Sequence, residues 1–187
     1  MGPTETTATR DKERTRRAII DAASQMIYSH GANVSLADIA AAAGVSKGAL
    51  THHFTTRSAL EEAILVDVSQ RFRDAVYERL DVSEDRPGRL LRAYIRTLTD
   101  DDAAARDVFS AGSLLLIIGS DQPGQEVLKA DAEKWRKAFD ADGIDPVLSL
   151  TIRYAAEGLA ASVGTPYLTA AELEAARARL LAMAEPA

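Results

Sequence analysis

Residues 34–54 constrain this chain more than any other segment, because they predict two short helices joined by a glycine turn. Ser35 can cap the first helix, and Asp38, three residues later, can act as its capping-box partner. Gly44 can adopt a left-handed conformation at no steric cost, so it ends the first helix and lets Ser46 begin the second. This is the layout of a helix-turn-helix, a motif that places its second helix in the major groove of DNA.

The second helix of this motif predicts an inner and an outer face. Val45 and Leu50 face back toward the first helix, which leaves mostly small, hydroxyl-bearing and basic side chains outside: Ser46, Lys47, Ala49, Thr51 and His52. Such side chains suit the major groove. Two short amphipathic helices around a glycine also occur in many other helical domains, so the spacing alone leaves a purely structural role open.

The charge of the chain is unevenly divided. The net charge of the 187 residues is −6, yet residues 1–57 hold seven Lys or Arg against five Asp or Glu, whereas residues 58–187 hold fifteen against twenty-three. The amino-terminal part can therefore meet phosphates while the remainder repels them. Five basic residues precede the apolar part of the first predicted helix, where they suit either a phosphate contact or an ordinary solvated surface: Arg10, Lys12, Arg14, Arg16 and Arg17.

An ordered set of short motifs runs through the same region. The chain reads Asp-Ile-Ala at 38–40, Ala-Gly-Val-Ser-Lys-Gly-Ala-Leu at 43–50, His-Phe at 53–54 and Arg-Ser-Ala-Leu at 57–60. On these motifs, residues 10 to about 64 resemble the amino-terminal DNA-binding domain of the TetR family of transcriptional regulators. Thr51 departs from the pattern, because the family commonly has a tyrosine there.

The rest of the chain reads as a series of helices. An apolar stripe at helical spacing predicts a long helix over 59–80, and the Pro-Gly pair in 83–88 ends it. Further helices are predicted over 89–99, through the apolar run 109–118, and from Gln122 to near Gly143. We therefore predict an all-α fold of about nine helices, with a three-helix helix-turn-helix domain followed by a larger effector-binding and dimerisation domain. The predicted boundaries are a disordered tail at 1–9, the first domain at 10–57 and the second at 58–187.

The last two predicted helices concern self-association. Asp145 and Pro146 form a capped start for the first of them, and Thr169 with Glu172 predicts a capping box for the second. Many small residues in these helices allow another helix to approach closely. They could simply close the core of the monomer, but the resemblance implies that they pair with their copies in a homodimer. Two recognition helices about 34 to 36 Å apart would then meet a palindromic double-stranded DNA operator.

Seven residues are predicted to contact DNA: Ser35, Ser46, Lys47, Ala49, Thr51, His52 and Arg57. Lys47 can donate to guanine or to a phosphate, and we favour the phosphate. Ser35 and Ser46 can donate to phosphates, although helix capping also explains both of them.

The other four predicted contacts follow from side-chain chemistry and from the resemblance. Ala49 and Thr51 can touch a thymine methyl group. The resemblance favours His52 as a contact to a base or phosphate and His53 as a more packed residue beside Phe54. It also matches Arg57 to a basic position at the start of the next helix, where a phosphate contact is predicted.

The resemblance further implies that the larger domain binds a small-molecule effector. Aromatic residues at helical spacing are typical of ordinary core, and that role is favoured for each of the candidate pocket walls, which are Phe72, Tyr94, Phe109, Ser113, Leu116, Trp135, Phe139 and Tyr154. Arg96 and Ser110 are candidate polar anchors.

Several classes of protein are disfavoured by what the sequence lacks. It contains no cysteine, no apolar run of 18 residues and no hydrophobic segment of a secretory signal, so we expect a soluble cytoplasmic protein without a membrane partner. Adjacent His52 and His53 diverge on a helix, and no phosphate-binding loop or nucleophile elbow occurs. We therefore expect no enzyme activity, no cofactor and no metal.

The resemblance implies a ligand-responsive transcriptional repressor. The alternative is a dimeric helical adaptor that binds another protein through its basic amino-terminal part, without sequence-specific DNA binding.

Overall fold

Helices are the only regular secondary structure in the part of the chain that the computed structural model describes, residues 7–100, 118 and 122–186. Its eight helices are α1 (Thr7–His30), α2 (Leu36–Ala42), α3 (Lys47–His53), α4 (Arg57–Glu78), α5 (Arg89–Thr99), α6 (Gln122–Asp140), α7 (Pro146–Ser162) and α8 (Ala170–Met183). The described residues form two compact units: 7–68 with 118 and 122–128, and 69–100 with 129–186. The all-α class is confirmed.

The first unit is built on the packing of α1 against α2 and α3, and of α2 against α3. Its apolar side chains lie inside, as the helical spacing predicts: Ile19, Ile20, Ala23, Ile27, Ile39, Ala40, Leu50 and Phe54 are buried. Because α2 and α3 have only seven residues each, they are not stable alone, and the core that they share with α1 fixes their orientation.

The turns of the first unit follow the predicted local chemistry. Gly44 has φ +68°, and Gly31, which follows the last residue of α1, has φ +83°. The Ser35 hydroxyl accepts a hydrogen bond from the backbone N–H of Asp38, and the Ser46 hydroxyl accepts one from that of Ala49. Both caps and the glycine turn of the helix-turn-helix are therefore confirmed.

Helix α5 is the centre of the second unit. Nine of its eleven residues are buried, and it packs against α7 and α8. The Asp142 carboxylate accepts hydrogen bonds from the backbone N–H groups of Leu90 (2.8 Å) and Leu91 (2.9 Å), which caps the start of α5 from a distant part of the chain. The guanidinium of Arg92, 1% exposed, lies inside this unit and binds the Glu84 carboxylate.

Several predicted helix ends are confirmed, and others shift. The predicted helix at 89–99 matches α5, Asp145 caps α7, and Thr169 with Glu172 forms the capping box of α8. Helix α1 begins at Thr7, inside the segment predicted as a tail, and the two compact units divide after Val68, within α4. The domain boundaries at 9 and 57 stay predictions. The predicted helix at 109–118 lies outside the described residues except for Ile118.

Candidate DNA-binding surface and effector region

Helix α3 separates its side chains into two environments. Leu50 is fully buried against the rest of the first unit, and Ala49 is half-buried. Lys47, Thr51 and His52 are exposed, and within the described residues the Lys47 ammonium has no hydrogen-bond or ion-pair partner. The outer face of α3 is therefore open for contact with an external partner.

The hydroxyl groups of the three predicted contacts Ser35, Ser46 and Thr51 differ in their freedom to donate a hydrogen bond. The Ser35 hydroxyl donates to the Asp38 carboxylate at 2.6 Å, whereas no acceptor for the Ser46 hydroxyl hydrogen lies among the described residues. The Thr51 hydroxyl lies 3.1 Å from the carbonyl oxygen of Lys47 and 3.0 Å from that of Gly48. Because its hydrogen is used within the helix, Thr51 offers a methyl group rather than a donor to a partner.

The basic residues of α1 are more engaged than their sequence suggests. Arg14 pairs with Asp11 at 3.1 Å, and Arg17 pairs with Asp67. The Arg16 guanidinium lies 5.0 Å from the ring centre of Phe54. Arg16 and Arg17 therefore connect α1 to Phe54 and to α4 within the first unit, whether or not they meet a phosphate.

The two adjacent histidines at the end of α3 differ in environment. His52 is exposed and His53 is half-buried, which confirms the predicted packing of His53; their ring centres are 5.8 Å apart. Burial lowers the pKa of His53, and the nearby His52, Lys12 and Arg16 lower it further. Its buried Nδ1 has no hydrogen-bond partner within the described residues. His53 is therefore disposed to stay neutral, while the His52 ring projects outward.

Arg57 occupies a different position from the other predicted contacts. Its guanidinium donates to the backbone carbonyls of Ala32 and Val34 and to the Glu61 carboxylate. The predicted phosphate contact of Arg57 would have to compete with these three partners.

Four of the predicted effector residues form one aromatic cluster in the second unit. The cluster consists of Phe72, Tyr94, Trp135 and Phe139, and in every pair except Phe72 with Phe139 the ring centres lie 5.4 to 5.6 Å apart. Tyr154 is 62% exposed and makes no ring contact with them among the described residues. Phe109, Ser113, Leu116 and Ser110 lie outside the described residues.

Polar groups around the cluster were missed by the sequence reasoning. The Tyr94 hydroxyl donates to Glu157 at 2.7 Å, and burial, then the Glu157 charge, raises the pKa of Tyr94. The Arg153 guanidinium lies 4.5 Å from the Phe139 ring centre, and its buried Nε has no partner within the described residues. The spacing of Arg153 and Glu157, one helical turn apart, was the available signal. Arg96 was a predicted polar anchor of the effector site, but its Nη2 lies 3.7 Å from Glu84 Oε1.

Two family models match the chain. Residues 19–64 match the bacterial regulatory proteins of the tetR family, and residues 88–185 match the tetracyclin repressor-like C-terminal domain. The chain belongs to the TetR family of transcriptional regulators, with a helix-turn-helix DNA-binding domain and a carboxy-terminal ligand-binding domain. This is a family of regulators rather than of enzymes.

Individual relatives agree with this assignment. The HTH-type transcriptional regulator BetI of Cronobacter sakazakii is 42% identical over 66 residues, which are 35% of this chain and 33% of that protein. The match thus spans about a third of the length of this curated relative. A solved structure from Rhodococcus sp., assigned to the TetR family, has a TM-score of 0.74 and 25% identity, over 92% of this chain and 97% of that one. The multidrug binding protein EbrR, solved with malachite green, has a TM-score of 0.66 and 27% identity, over 92% and 98%.

The described residues lack two further features. No described helix is both long and apolar enough to cross a membrane. No group of three or more His, Asp or Glu side chains in residues 7–100, 118 and 122–186 is arranged to hold a metal ion.

Proposed function

We propose that this chain is a ligand-responsive transcriptional repressor that binds a palindromic DNA operator as a homodimer and is released by a small-molecule effector. The observation that carries the proposal is the outer face of α3, where Lys47, Thr51 and His52 are exposed while Leu50 anchors the helix from within. A buried inner face with an open, partly basic outer face is the arrangement that a recognition helix needs.

Within this face the side chains have different proposed roles. Lys47, without a partner in the described part of the chain, takes a phosphate, and the Ser46 hydroxyl donates to a second one. Thr51 and Ala49 contact a thymine methyl group, and His52 reaches a base edge or phosphate. Ser35 caps α2, and because its hydroxyl hydrogen is directed at Asp38, its proposed phosphate contact is the weakest.

The proposed homodimer forms through α7 and α8. On α7, Val147, Leu150 and Tyr154 recur at helical spacing and are 71%, 46% and 62% exposed. The exposed alanines of α8 also recur at helical spacing: Ala171, Ala175, Ala178 and Ala182. Large apolar side chains on one helix and small ones on its neighbour favour close packing of a second copy. Sedimentation of the wild-type chain and of Leu150→Arg tests this interface. A dimeric wild type with a monomeric variant supports it, and a variant that stays dimeric contradicts it.

The proposed effector site adjoins the aromatic cluster. Phe72 and Trp135 are half-buried, so part of each residue is accessible to a ligand, whereas Phe139 is buried. By similarity to EbrR, we propose an aromatic small molecule as the effector.

The effector is proposed to weaken DNA binding. A coupling free energy of about 1 to 3 kcal/mol between effector binding and DNA binding would lower operator affinity about 5- to 150-fold. In a thermal-shift screen, a ligand at about 100 times its dissociation constant stabilises the protein by about 2.7 kcal/mol.

Selection of binding sites from random duplexes tests the proposed function directly. A repressor of this kind enriches an inverted repeat whose half-sites lie about one helical turn, or a multiple of it, apart. A pool without enrichment, together with shallow and strongly salt-dependent affinity, would instead favour the adaptor that binds another protein.

A further inference from the structure

The guanidinium of Arg57 joins two segments that are distant in sequence. Arg57 is the first residue of α4, and 35% of its side chain is exposed. Its Nη1 donates to the carbonyl oxygen of Val34 at 2.6 Å, its Nη2 donates to that of Ala32, and its Nε donates to Glu61 Oε1 at 2.7 Å. All three nitrogens of the guanidinium are thus hydrogen-bonded within the first unit.

The two carbonyl groups belong to the turn between α1 and α2. This turn follows Gly31, in the left-handed conformation, and ends at Ser35, the cap of α2. Val34 is buried, so an unpaired carbonyl at this position would carry a desolvation cost. The planar fork of an arginine can serve two carbonyls at once, whereas a lysine presents a compact point charge on a flexible stem.

We propose that Arg57 is a positioning residue for DNA recognition: it holds the α1–α2 turn against the start of α4 and thereby sets the orientation of α2 and α3. Glu61 fixes the guanidinium from the opposite side by accepting from Nε. Three of its five N–H groups are used in this way, and in this proposal the phosphate charge is met by Lys47 rather than by Arg57. This inference rests on the proposed function, because it assigns a role within DNA binding.

Substitutions that keep or remove the charge separate positioning from phosphate contact. The probe is the duplex that the wild-type chain enriches from a random pool, and the observable is its affinity between about 50 and 200 mM salt. We expect Arg57→Lys and Arg57→Gln each to lose at least tenfold in affinity, with the salt slope of Arg57→Gln equal to that of wild type. The control Lys47→Gln should reduce the slope by about one. Wild-type affinity for Arg57→Lys, with a slope reduced by about one in Arg57→Gln, would overturn the proposal.

Hydrogen exchange of the free protein gives a second, DNA-independent measurement. In Arg57→Lys we expect faster exchange of the amides in residues 31–35, with unchanged exchange in α5. If that variant unfolds as a whole, Glu61→Gln, which weakens only the Nε bond, should show a smaller increase at the same amides. Unchanged exchange in the variants would refute the positioning role even if DNA binding is weakened. If the wild-type chain enriches no duplex, the proposed function fails and the positioning role falls with it, whereas the exchange result still reports on the contact itself.

Discussion

Replacing Arg92 by methionine is expected to destabilise the second unit severely. Arg92 is 1% exposed, and its guanidinium donates to Glu84 Oε2 at 2.9 and 2.7 Å, to the Pro87 carbonyl at 3.0 Å and to the Ala184 carbonyl at 2.7 Å. These bonds join the segment before α5 to the end of α8. Methionine is of similar length but donates no hydrogen bond, so it would leave the carboxylate and both carbonyls without this partner.

The expected loss follows from the burial of the pair. Removing one partner of a buried ion pair costs about 3 to 5 kcal/mol. Arg86 and Arg96 still lie 3.3 and 3.7 Å from the Glu84 carboxylate after this change, but the Pro87 and Ala184 carbonyls lose their donor. For a chain of this size, about 1 kcal/mol lowers the melting temperature by about 2 to 4 °C, so we expect a decrease of about 6 to 20 °C. Thermal and urea unfolding at one fixed protein concentration measure it, since dimerisation would make the midpoint depend on concentration.

An exposed pair provides the matched control. Arg136 lies beside Glu133, with side chains 61% and 49% exposed, so Arg136→Met should change stability by less than about 1 kcal/mol. A loss below about 1 kcal/mol for Arg92→Met as well, at neutral pH, would refute the reasoning that the buried guanidinium is required.

Three further predictions concern other parts of the chain. Gly88→Ala should destabilise by more than about 1 kcal/mol in urea unfolding, because φ is +85° and a Cβ would meet the Ala184 carbonyl; Gly164→Ala, with φ +77° and open space, should cost less. The hydrogen bond from the Arg92 guanidinium lowers the pKa of Glu84 from 4.5, so its contribution to stability is complete above about pH 4.5 and is lost as the pH falls through the lower folded value; this loss should be absent in Glu84→Gln. Thr51→Val should keep operator affinity in an anisotropy titration, whereas Thr51→Ala should lose about 1 kcal/mol or more because the methyl group is removed.

Each of these predictions has a contradicting result. Equal losses for Gly88→Ala and Gly164→Ala would mean that the carbonyl contact is unimportant. Parallel acid-unfolding curves for wild type and Glu84→Gln would contradict the pH argument. Weaker binding by Thr51→Val than by Thr51→Ala would mean that the hydroxyl group, not the methyl group, contacts the operator.

The parts of the fold that depend on local chemistry could be predicted from the sequence. The caps formed by Ser35, Ser46, Asp145 and Thr169 each act on a backbone N–H three residues later, and glycine conformation is likewise a local property. The start of α5 differs, because its carboxylate cap comes from Asp142. This cap could not be predicted from local spacing, since only the tertiary fold brings Asp142 and the start of α5 together.

The same distinction applies to the candidate site. The outward position of Lys47 and Thr51 follows from helical periodicity around the buried Leu50. Periodicity could not indicate that Arg57 donates to carbonyls of the α1–α2 turn, or that Tyr94 donates to Glu157, because these partners are 23 or more residues apart. A basic residue at a helix start is therefore ambiguous until its partners are known.

Parallel selection from random duplexes by the wild-type chain and by the double variant Thr51→Ala, His52→Ala tests the central claim most directly. A control variant carries Gln25→Ala, an exposed position on α1. We expect the wild-type and control chains to enrich the same inverted repeat, and the double variant to enrich a different sequence or none. Enrichment of the same repeat by all three chains would contradict the claim that the outer face of α3 reads the operator.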